Sequence, residues 1–210
     1  EGTVVVSTGL ANLVAMGNTV FDLAARSYPA LVREVHVPPG GGLVEFRARG
    51  GRLSIERNGT AFFSDQLINL GTLHVVGSTS HETFSFDFSN DLPIPVGDIR
   101  LLGGNEEQDT DSLVLNGGSV GDTRYLFSEA TSGAVDVDSR VITFTGIGEI
   151  RDDNEAAERS FVFPTGDDRV TVGGDGPAAR VQFGETEVVF SNPAEGMKID
   201  GGEGTNTLVL

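Results

Sequence analysis

The chain has 210 residues, no Cys, and 31 acidic against 14 basic residues, for a net charge of −17. Without Cys there is no disulfide scaffold and no thiolate metal site, and the acidic balance argues against nucleic acid, whose phosphates must be neutralised by Lys and Arg, and against an anionic membrane surface. The 29 Gly favour tight turns over long helices, and there is no run of about 18 apolar residues that would insert into a membrane.

In chain order, Ala11 to Arg26 reads either as a helix with Leu13, Val14, Val20, Phe21 and Ala24 on one face or as a strand pair broken at Gly17-Asn18. Pro38-Pro39-Gly40-Gly41-Gly42 then marks a boundary. Residues 1–42 are expected to form an N-terminal segment, a cap or the first coils, and residues 43–210 a repeat region. From there short alternating runs follow one another: Val44–Ala48, Leu53–Ile55, Leu73–Val75, Phe84–Phe88, Leu113–Leu115, Val141–Phe144, Phe161–Phe163, Val170–Val172, Val181–Phe183, Val188–Phe190 and Leu208–Leu210. Gly, Asn, Asp or Pro separates each from the next, so each is predicted to be a strand.

A unit of strand, Gly-containing loop, acidic or amide residue and strand recurs, with Glu82, Asp111, Asp168 and Asn206 as its marker residues. Their separations are 29, 57 (168 − 111) and 38, so the repeat is degenerate. Strand units of this period predict an all-β fold, a right-handed parallel β-helix or solenoid, with alternate residues pointing into a narrow apolar core. An antiparallel β-sandwich is the alternative. Phe84, Phe86, Phe88, Phe161 and Phe163 alternate within their strands and are expected to stack along that core.

Gly201-Gly202-Glu203-Gly204-Thr205-Asn206-Thr207-Leu208-Val209 resembles the calcium-binding nonapeptide of RTX proteins, G-G-x-G-x-D-x-U-x, with Asn206 in place of the Asp. Gly166-Asp167-Asp168-Arg169-Val170 and Asp109-Thr110-Asp111-Ser112-Leu113 match only its second half. The resemblance implies a calcium site drawing on Gly201, Gly202, Gly204, Asn206, Asp167, Asp168, Asp109 and Asp111, since a hard cation takes oxygen ligands. The amide of Asn206 brings no charge and should lower the affinity. More widely, the order of Asp111–Gly118, Phe144–Ile150, Phe163–Asp168, Phe190–Pro193 and Ile199–Gly202 between Leu101 and Leu210 looks like the degenerate repeats of very large exported bacterial proteins described as adhesin-like or cadherin-like, which implies an extracellular or cell-surface location and a parallel β-helix.

Catalytic signals are few. His74, His81 and Glu82 flank a serine-rich loop but match no zinc spacing. Asp152-Asp153-Asn154-Glu155 with Glu158 reads as a solvated loop or short helix. Asp167 and Asp168 are adjacent, so on one strand they point to opposite faces and cannot flank a single glycosidic bond. The chain is therefore expected not to be an enzyme but a structural and adhesive module, calcium-stabilised and self-associating, its partners being adjacent modules of the same protein or other copies of itself. Its last residues read as the middle of a strand, so it is expected to be a piece of a longer chain. A glycan- or protein-binding module on the same scaffold is the alternative, and a polysaccharide-acting β-helix enzyme a third reading.

Overall fold

The computed structural model describes residues 12–16, 19–23, 32–103, 111–176 and 178–210, with only the backbone described for the first two stretches. The strands in chain order are β1 (Asn12–Met16), β2 (Thr19–Leu23), β3 (Arg33–His36), β4 (Gly42–Arg49), β5 (Arg52–Arg57), β6 (Thr60–Gln66), β7 (Leu73–Val76), β8 (Glu82–Asp87), β9 (Ile99–Leu102) and β10 (Asp111–Asn116). They continue as β11 (Ser119–Glu129), β12 (Ser132–Val137), β13 (Arg140–Thr145), β14 (Ile147–Asp152), β15 (Glu155–Val162), β16 (Arg169–Asp175), β17 (Ala178–Phe183), β18 (Thr186–Ser191), β19 (Gly196–Asp200) and β20 (Thr207–Val209). The helical reading of Ala11–Arg26 is overturned. β1 and β2 pair antiparallel with Asn12 opposite Leu23, as the β-branched and aromatic run Thr19-Val20-Phe21 favours.

The remaining strands form a β-solenoid of two sheets. The first sheet has eight strands in the order β3-β7-β9-β13-β12-β11-β15-β19. The second has ten, in the order β6-β5-β4-β8-β10-β14-β18-β17-β16-β20. The chain alternates between them. β3, β7, β9 and β13 lie parallel in the first sheet, and β4, β8, β10, β14 and β18 lie parallel in the second. β3 already pairs with β7, so residues 33–36 belong to the stack.

Not every rung is a simple coil. Three antiparallel meanders accompany the stack: β11-β12-β13 and β16-β17-β18 are inserted between its rungs, and β4-β5-β6 extends the second sheet at its end. After β10 the chain places β11 two positions beyond the next free place, and β12 and β13 fill the gap back to β9. β16 to β18 repeat the manoeuvre in the other sheet. This explains the irregular marker spacing. The step of 29 is a plain coil, and the step of 38 holds a coil plus a meander hairpin. The parallel expectation thus holds for the coil-to-coil ladders of the two sheets, while opposed directions occur inside the meanders, at the isolated Ala48–Asp91 bridge and in the separate β1–β2 pair.

Alternation fills the space between the sheets. Val44, Phe46, Phe84, Phe86, Leu113, Leu115, Ile150, Val188 and Phe190 from one sheet meet Leu73, Val75, Ile99, Leu101, Tyr125, Ile142 and Phe161 from the other, all buried in one cluster. Aromatic rings stack from rung to rung: Phe46 on Phe86 at 4.2 Å, Tyr125 on Phe161 at 4.8 Å and Phe127 on Phe163 at 5.3 Å. Phe161 also meets Phe190 across the core at 5.2 Å. Each such ring contributes about 1.5–3 kcal/mol by burial, so the core placement expected for the Phe residues is the one observed.

Candidate functional site

The marker residues lie in two pairs along one corner, where the chain leaves the first sheet and enters the second. There the side chain of a later rung accepts the backbone N–H of the rung before it. Asp111 Oδ1 takes the Glu82 N–H at 2.7 Å, and Asn206 Oδ1 takes the Asp168 N–H at 3.0 Å. Glu82 and Asp111 are both buried. The Glu82 carboxylate accepts the N–H and the hydroxyl of Ser78. Burial raises its pKa; the Ser78 bonds work against this and the Asp111 charge adds to it.

The glycine-rich loops sit at the same corner, further along the stack. Residues 164–168 lie against residues 201–206. Asp167 Oδ1 accepts the Thr205 N–H at 2.8 Å, Asn206 Nδ2 donates to the Gly201 carbonyl at 2.7 Å, and Gly166 N–H donates to the Glu203 carbonyl at 2.8 Å. Gly202 and Gly204 have positive φ of 67° and 121°, and a Cβ on either would strike a carbonyl of the neighbouring loop. The structure therefore brings together Gly201, Gly202, Gly204, Asn206, Asp167 and Asp168. Asp111 stands apart from them, because β14, β18 and β17 intervene in the sheet, and Asp109 lies outside the described residues. The two oxygens best placed to ligate already accept backbone N–H groups. Asp168 Oδ2 is buried with no hydrogen-bond partner. Among the described residues, no set of three or more His, Asp or Glu side chains is arranged to hold a metal ion.

The opposite corner holds a group that sequence reasoning misplaced. Asp152 and Asn154 are fully buried, not solvated, and they surround the equally buried Arg159. Arg159 donates from Nε to Asp152 Oδ2 at 3.1 Å, from one terminal nitrogen to the Ser191 carbonyl at 2.7 Å and from the other to the Asn154 carbonyl at 2.7 Å. Tyr125 donates its hydroxyl to Asp152 Oδ2 at 2.6 Å. The guanidinium also lies 5.4 Å from the Phe190 ring centroid. Desolvation raises the Asp152 pKa against the pull of Arg159, and desolvation with the nearby carboxylate drives that of Tyr125 well up. The cluster joins β11, β14, β15 and β18, strands of both sheets, and so locks two meanders together. The signal was present in the sequence: stepping back by two from Phe163 and Phe161 gives Arg159, on the inward face.

On the outer face of the first sheet a groove of about 430 Å³ is lined by Asp122, Arg124, Asp136, Glu158, Ser160 and Lys198, among others. Asp138 closes one side by accepting the Gly121 and Asp122 N–H groups. Lys198 is paired with Glu158, which raises the pKa of its ammonium. Asp136 Oδ1 is buried without a hydrogen-bond partner. In comparisons with known proteins, no family model, no curated protein and no solved structure matches this chain.

Proposed function

We propose that this chain is a structural and adhesive module of a long secreted or cell-surface bacterial repeat protein, without enzymatic activity. The observation that carries the reading is where the buried polar groups point. At both corners they accept or donate to the backbone of a neighbouring rung, which stiffens the rod. A rod of this kind spans distance, resists proteolysis and presents its loops. The measurement is limited proteolysis combined with adhesion of module-coated beads to cell and glycan surfaces. Persistence of the strands of the two sheets and bead retention are expected; rapid cleavage inside the strands, or turnover of an acidic polysaccharide, would count against the reading.

A second reading, a glycan- or protein-binding module on the same scaffold, is supported by the polar groove and its unpartnered Asp136 oxygen. Selective binding on a glycan array, abolished by Asp136→Ala, would favour it. Calcium at the stacked glycine loops is part of the proposal and is supported by the buried Asp168 Oδ2. It predicts a higher Tm with calcium than with a chelator, lost in Asp168→Asn; an unchanged Tm removes the ion from the reading.

A further inference from the structure

We infer that Asn58 is a site of N-glycosylation, its side-chain amide taking an oligosaccharide from a lipid-pyrophosphate-linked donor. Asn58-Gly59-Thr60 is the one Asn-x-Ser/Thr triplet in the chain with a residue other than Pro at its centre. The fold, more than the triplet, carries the assignment. Asn58 and Gly59 form the link between β5 and β6, both at positive φ, 48° and 78°. Asn adopts this conformation more readily than other residues with a Cβ. Asn58, Gly59 and Thr60 are all exposed, as a bulky hydrated substituent requires.

The Asn58 amide is engaged at its oxygen and free at its nitrogen. Oδ1 accepts the Leu43 N–H at 3.1 Å, while the Asn58 N–H donates to the Leu43 carbonyl at 2.9 Å. Nδ2 makes no hydrogen bond among the described residues. Gly42, at φ 101°, leaves the space the amide needs: a Cβ there would stand 2.7 Å from Oδ1 and 3.0 Å from Nδ2. Replacing one Nδ2 hydrogen by a sugar therefore keeps the bond that holds the side chain to the turn.

Asn58 and Thr60 also line a single hollow of about 330 Å³ with Pro38, Arg57 and Phe62. Arg57 is fixed as one wall by its Nε–H, which donates to the Gly41 carbonyl at 2.9 Å. The half-buried Phe62 and Pro38 give the hollow an apolar side. An apolar surface with few polar groups suits the C–H face of a first sugar ring. The acceptor amide and the threonine that a transferase reads two positions on thus border one space. Glu56, two positions before the acceptor and bonded to Arg47 at 3.2 Å, also serves a transferase that reads a carboxylate there. The transfer forms a bond from Nδ2 to C1 of the first sugar and breaks the bond from C1 to the pyrophosphate oxygen. The Nδ2 proton passes to a base of the transferase, the lipid pyrophosphate leaves, and nothing is oxidised or reduced.

The inference rests on the secreted location within the proposed function, but its chemistry is tested apart from location. The folded full chain is incubated with a polyprenyl-pyrophosphate-linked oligosaccharide and an oligosaccharyltransferase that a short acceptor peptide shows to be active. Intact mass and peptide mapping are then read. One added glycan per chain, mapped to Asn58, is expected. Thr60→Val keeps the shape of an exposed side chain and leaves the turn residues alone; it should lose the added mass with the circular dichroism spectrum retained, and Thr60→Ser should keep it. Asn58→Asp, which has no acceptor nitrogen, should carry none. An unmodified folded chain, a glycan on another residue, or a Thr60→Val chain modified like the wild type overturns the inference. A chain that adheres but accepts no glycan removes this site and leaves the proposed function standing, and a glycosylated chain that does not adhere does the reverse.

Discussion

Arg159 shows how much a single inward-facing residue determines in this fold. Its guanidinium and the Asp152 carboxylate are both fully buried, 3.0 Å apart. Removing only the cation leaves a buried carboxylate without its main partner, which costs about 3–5 kcal/mol. Arg159→Met should therefore lower the urea midpoint sharply, and Asp152→Asn in the same chain should restore part of the loss. The buried Glu82 also gives the protein a signed pH dependence. The folded-state pKa of Glu82 is raised. The native state holds that proton more tightly than the unfolded chain, and the contribution of the group is most favourable below its ordinary value of 4.5 and declines as pH rises through the folded pKa. Glu82→Gln removes the decline. The Tm of the wild type should fall relative to that of Glu82→Gln as the pH is raised from the ordinary glutamate value to neutrality; a constant difference between the two would refute the assignment.

At the scale of elements, the meanders turn on two-residue links. Gly50-Gly51, Asn58-Gly59 and Asp138-Ser139 all have both residues at positive φ, the twist that suits a right-twisted hairpin. Ser139 alone of the six is neither Gly, Asn nor Asp, at φ 66°, and a left-handed conformation costs such a residue about 1–2 kcal/mol. Ser139→Gly is expected to raise stability by about 1 kcal/mol in urea denaturation, net of the extra chain entropy of glycine. Strand positions were legible because Val44–Ala48 or Phe84–Phe88 alternate cleanly over a one-sided core. Strand direction was not. Alternation tells which face a side chain takes but not whether its neighbour runs with it or against it, so β11 to β13 were not recognised as a meander. The acidic run was misread for a related reason: Asp152 and Asn154 look solvated until Arg159 is placed on the inward face. The glycine loops were read correctly as stacking corners, but no sequence pattern tells that their oxygens would be spent on N–H groups of the next rung.

Over the whole molecule, charge acts against compactness. A net −17 on 210 residues repels itself in the folded state more than in the expanded chain. Screening should stabilise the fold, so Tm is expected to rise between low and physiological salt and to level off as the Debye length falls below the spacing of surface charges; a flat response would show that local pairs such as Arg47 with Glu45 and Glu56 already offset the repulsion. Long-range pairing dominates the architecture, which places it among slow-folding topologies.

The way β11 lands beyond its eventual neighbours has a bearing on synthesis. When a ribosome has released the chain only through Glu129, β11 has neither lateral contact it will finally hold in the first sheet, since β12 and β15 are both still to come. Nascent coils therefore cannot be deposited one upon the next like bricks. The chain must keep a loose end waiting until a later segment doubles back to wedge itself into the vacancy, and the same delay recurs at β16.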